Sequence, residues 1–61
     1  MLIELTRKQF DNLWRYLAEH RQTRIINIVA DGHKKRNGKL QQYVVVSVAR
    51  YHSQTVRNFQ R

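Results

Sequence analysis

Arg24-Ile25-Ile26-Asn27-Ile28-Val29-Ala30 and Tyr43-Val44-Val45-Val46-Ser47-Val48-Ala49 are two runs rich in β-branched residues. Between them lie the turn dipeptides Asp31-Gly32 and Asn37-Gly38. Such runs joined by such turns read as a β-hairpin, here spanning about residues 24–51. The connecting arm carries His33, Lys34, Lys35, Arg36 and Lys39. A three-residue loop closed by Gly38 as a bulge would pair Lys35 with Lys39. Counting back, Ala30 then faces Val44, Ile28 faces Val46 and Ile26 faces Val48, six apolar residues on one face. A two-residue Asn37-Gly38 turn would put Ile28 opposite Ser47 and mix the faces, so the three-residue loop is the expected one.

Upstream, Thr6 and Gln9 have the spacing of a capping box, with Leu5 and Phe10 placed as a hydrophobic staple. They predict a helix over about residues 6–22. Phe10, Leu13, Trp14 and Leu17 recur at i, i+3, i+4 and i+7 as one apolar stripe. That stripe should cover the Ile26/Ile28/Ala30/Val44/Val46/Val48 face. On this reading a Trp14→Ala change costs ~3–5 kcal/mol. Asp11 and Arg15 are expected to pair at i,i+4. No glycine or proline marks the helix end.

Residues 52–61 admit two readings. Ser53 could begin a short helix with Val56 and Phe59 at i, i+3, or Thr55, Arg57 and Phe59 could alternate along a third strand. The β-branched pair Thr55-Val56 favours a strand or extended arm. Met1–Leu5 is too short to assign.

The expected fold is therefore α+β: one domain over residues 1–61, an N-terminal amphipathic helix packed on a small antiparallel sheet built around a long basic hairpin. A chain of this size buries only about 60% of the surface its unfolded form exposes, and without cysteine it has no disulfide staple. Self-association, as a homodimer or higher homo-oligomer, is the expected remedy. The consecutive Val44-Val45-Val46, which want cover on both sheet faces, point the same way.

Charge is distributed unevenly. Residues 1–31 hold five basic and four acidic side chains, whereas residues 32–61 hold seven basic and none acidic. This asymmetry favours an anionic partner. Lys34, Lys35, Arg36, Lys39 and Arg50 are candidate phosphate contacts, with Arg57 and Arg61 adding to the field. Tyr43 and Tyr51, with His33, could share the second sheet face and stack on unpaired bases. Cross-strand or dimer packing is the competing reading of the two tyrosines.

His20, His33 and His52 are far apart in sequence and lack a ligand pattern, so neither metal nor cofactor is expected. Paired carboxylates, a nucleophile elbow and a Walker loop are all missing from the sequence. A ribonuclease using His33 or His52 as general base is the one catalytic alternative. The expectation is a non-enzymatic, cytoplasmic protein that does not bind membranes. It would be a small nucleic-acid-binding regulatory or accessory protein. The alternative is a phage- or mobile-element-type inhibitor or adaptor that binds a host protein or defence complex.

Overall fold

The computed structural model describes all residues, 1–61. Strand β1 (Leu2–Thr6) leads into helix α1 (Arg7–Glu19), then strands β2 (Ile26–Arg36) and β3 (Lys39–Val48), and a short helix α2 (Ser53–Arg57). Single 3-10 turns occupy Thr23–Ile25, Arg50–His52 and Asn58–Gln60. The sheet is antiparallel throughout, in the order β1-β3-β2.

The start of α1 forms as its sequence requires. The Thr6 hydroxyl accepts from the Gln9 N–H at 3.1 Å, and the Gln9 side-chain oxygen accepts from the Thr6 N–H at 2.9 Å. Leu5 and Phe10 both enter the core. The helix stops three residues earlier than the pattern suggests, and a non-glycine residue stops it. Arg21 lies in the left-handed region at φ 54°. Its N–H donates to the Ala18 carbonyl at 3.2 Å, and the Gln22 N–H donates to Leu17 at 2.8 Å, a Schellman closure. Left-handed geometry costs a side-chain-bearing residue ~1–2 kcal/mol, and glycine returns ~0.5–1 kcal/mol of that as lost backbone entropy. Arg21→Gly is therefore expected to stabilise the fold by about 0.5–1 kcal/mol, raising the midpoint of a thermal melt by roughly 2–8 °C. A lower midpoint would show that the Arg21 side chain has a stabilising role that outweighs its backbone cost.

The core lies between α1, α2 and one face of the sheet. Leu5, Leu13, Leu17, Val44, Val46 and Val56 are the fully buried side chains, joined by Ile3, Phe10, Ile26 and Val48. Ile26 and Val48 pair as expected, and so do Ile28 and Val46. Ile28 and Ala30 nevertheless stay exposed. Strand β1 pairs with the other side of β3, setting Ile3 against Val46 and Leu5 against Val44. Both are buried, so they fill the core beside Val44 and Val46, and α1 sits over β1 and β3.

Leu13, Leu17 and Phe10 form the buried stripe, and Trp14 is 43% exposed at its margin, its ring stacked on Phe10 at 6.0 Å. The large cost expected of Trp14→Ala does not apply to a side chain in that position. Arg7, rather than Arg15, pairs with Asp11 at 3.2 Å, and Arg15 instead donates to Asn12 at 3.4 Å.

The tail is helical, which corrects the expected strand or arm. A strand alternating through Thr55, Arg57 and Phe59 would turn Val56 away from the core. Wound as α2 and the turn after it, the chain places Val56 fully inside and packs Phe59 against it. Tyr16 and Phe59 meet at 5.5 Å between ring centroids. The Gln60 amide donates to the Glu4 carbonyl at 2.9 Å, and the Gln9 amide donates to the Gln60 carbonyl at 3.0 Å. The tail is thus tied to both β1 and the first turn of α1.

Candidate nucleic-acid interface

The hairpin turn has two residues, not three. Asn37 and Gly38 both have positive φ, 53° and 75°, as a type I′ turn requires, and Arg36 pairs with Lys39. This corrects the expected pairing of Lys35 with Lys39. The objection that a two-residue turn misaligns the faces is met by an extra residue, Val29. Ile28 pairs with Val46 and Ala30 with Val45, so β2 bulges at Val29. The bulge shifts β2 by one residue. Below it the apolar register is kept, and above it Asp31 rather than Ala30 faces Val44.

Beyond Tyr43, where β1 ends, β2 and β3 continue as a two-stranded arm. Its pairs are His33–Gln42, Lys34–Gln41, Lys35–Leu40 and Arg36–Lys39, and every residue from His33 to Gln42 is exposed. Alternation divides the side chains. Lys34, Arg36, Lys39 and Gln41 share the open face with Tyr43, and His33, Lys35, Leu40 and Gln42 continue the core face. The molecule is consequently elongated, 36 × 21 × 18 Å.

The arm is braced at its base. Lys34 Nζ donates to Glu4 Oε2 at 2.6 Å and lies 5.4 Å from the centre of the Tyr43 ring. Across the ladder, the Tyr43 ring covers Gly32: a Cβ there would lie 3.2 Å from the Tyr43 hydroxyl. Glu4, Lys34, Tyr43 and Gly32 therefore tie all three strands together on the open face. Lys35, Arg36 and Lys39 form no ion pair.

The expected site residues divide into three places. Lys34, Lys35, Arg36 and Lys39 come together in the arm, with Tyr43 at its base. Arg50 and Tyr51 lie in the 3-10 turn after β3, at the opposite end of the strand from Lys39. Ten residues of β3 separate these ends, about 33 Å at the rise of an extended strand. Tyr51 is 84% exposed and its ring lies 4.4 Å from that of His52. It borders a groove of about 520 Å³ with Arg24, Asn27 and Ser47. Arg57 is on α2, and Arg61 borders a separate groove of about 500 Å³ with Arg15 and Glu19.

The expected grouping of Tyr43, Tyr51 and His33 on one sheet face is corrected. Tyr51 lies outside the sheet, and His33 is on the face opposite Tyr43. Sequence reasoning missed Gln41 and Gln42, which pair with Lys34 and His33. The turn register, once assigned correctly, would have placed them. No three His, Asp or Glu side chains cluster as a metal site, and no helix is long and apolar enough to cross a membrane.

Compared with protein-family models, with curated proteins and with solved structures, the chain shows no match.

Proposed function

We propose that this chain is a small, basic, non-catalytic nucleic-acid-binding protein, regulatory or accessory in character, that uses its hairpin arm as the contact. The observation that carries the reading is the arm itself. It is exposed over its whole length and holds four cations and no acid between His33 and Gln42. Only Lys34 has an acidic partner. A projecting ribbon with unpaired cations can follow a phosphate backbone and release condensed counterions.

Three to five phosphate contacts would give log K against log salt a slope of about −2.7 to −4.5. Fluorescence anisotropy with labelled single- and double-stranded DNA and RNA across a salt series measures it. The expected result is a steep slope with affinities that differ among the four ligands. Weak binding, equal for all four and lost near physiological salt, would mean the charge serves solubility alone.

One observation favours a second reading, an inhibitor or adaptor that binds a protein. The outer edge of β2 has no neighbouring strand, and Ile28 and Val29 are each 53% exposed along it. Such an edge can accept an added strand, from a target or from a second copy of this chain. The oligomeric state belongs to the same proposal and is read from the solution mass in the anisotropy buffer.

A further inference from the structure

We infer that the ligand is duplex DNA, entered tip first through its major groove; this rests on the nucleic-acid reading above and narrows it to one ligand.

The distribution of aromatics argues against a single strand. Binding unpaired bases uses rings beside the cations that hold the backbone. From Lys34 to Gln42 the arm has no aromatic side chain, and the one ring in it, His33 at the base, lies on the face opposite Arg36 and Lys39. The Tyr43 ring is covered by Lys34 and lies against Gly32. Tyr51 is exposed but sits at the far end of β3 from the arm's cations.

The dimensions suit one groove. Four exposed pairs and a two-residue turn project beyond β1, about 10–13 Å at the rise of a strand. The major groove of B-form DNA is ~8.5 Å deep and ~12 Å wide and admits a two-stranded ribbon. The minor groove, ~6 Å wide, does not admit a ribbon with side chains on both faces. The major groove of an A-form RNA duplex is too narrow and deep for side chains to read.

The placement of side chains agrees with tip-first entry. Lys35 projects from the core face and Arg36 and Lys39 from the open face, so cations stand toward both walls of a groove, while Lys34 is held at the base of the arm by Glu4. Arg36 and Lys39 flank the turn on the open face, and either can bond the O6 and N7 of guanine. Asn37 is the only side chain at the apex, because Gly38 has none, and it suits the N6 and N7 edge of adenine.

The test is anisotropy with four labelled probes of one mixed sequence: a two-turn DNA duplex, the RNA duplex, the single DNA strand, and a DNA duplex whose cytosines carry glucosylated hydroxymethyl groups that fill the major groove. The unmodified DNA duplex is expected to bind about tenfold or more tighter than each of the others, and Asn37→Gly, which preserves the turn, is expected to weaken it several-fold. Equal affinity for the groove-filled duplex overturns the inference and leaves the nucleic-acid reading standing. So does tighter binding of the RNA duplex or the single strand. No binding to any probe overturns both.

Discussion

Leu13→Ala is expected to leave little of the protein folded at physiological temperature. Leu13 has no solvent exposure and lies where α1 faces the sheet. Removing a buried leucine side chain costs ~2–5 kcal/mol, as lost transfer energy plus a cavity that neighbours only partly fill. A domain of this size holds roughly 3–9 kcal/mol in total. The loss is comparable to the whole, and no disulfide offsets it. Trp14→Ala is the instructive partner. The larger side chain is 43% exposed at the margin of the core, its ring stacked on Phe10, so its removal should cost under about 1.5 kcal/mol. Urea unfolding followed by circular dichroism orders the two. If Trp14→Ala proved the more damaging, the packing of α1 described above would be wrong.

On the proposed reading, replacing Lys35, Arg36 and Lys39 together with alanine is expected to flatten the salt dependence of nucleic-acid binding by about 0.9 to 2.7, about 0.9 for each of the three that lies on a phosphate rather than a base, and to weaken affinity by about tenfold or more. All three are exposed, and none is in an ion pair or side-chain hydrogen bond, so the melting temperature should stay within a few degrees of the parent. Lys34 is deliberately kept, because its contacts to Glu4 and Tyr43 brace the arm and its loss would mix stability with binding. A variant that binds as well as the parent, with an unchanged slope, would remove the arm from the interface.

The sequence carried its local signals faithfully. Thr6 with Gln9 fixed the start of α1, and the β-branched runs located β2 and β3. What it concealed was competition between segments. Ile28, Ala30 and Trp14 each have the pattern of a core residue, but Trp14 lies at the margin of the buried stripe, the bulge turns Ala30 to the open face, and Ile3 and Leu5 bring a further strand into the core that Ile28 was expected to fill. Nothing in a five-residue strand announces that it will do so. The tail was ambiguous because Thr55-Val56 suits a strand locally, whereas only the finished sheet shows that Val56 must point inward. The arm's cations were legible as a cluster because they are adjacent in the chain. The tyrosines were not, because Tyr51 falls just past the end of β3, where alternation stops. The turn was misread since a hairpin register is set jointly by the loop and by any bulge, and Val29 has no sequence mark that distinguishes it from a regular strand residue.

That bulge also bears on how the protein could change over generations. Ile28 and Ala30 already meet consecutive residues of β3, so deleting Val29 would leave every other partner in place. A bulge bends its strand and sharpens the local twist, so the deletion would redirect the arm relative to the helical body while preserving its charges and its turn. Most single-residue deletions within a strand reverse the faces of everything beyond them. Here the loss of one codon is the smallest inherited step that re-aims the arm without rewriting it.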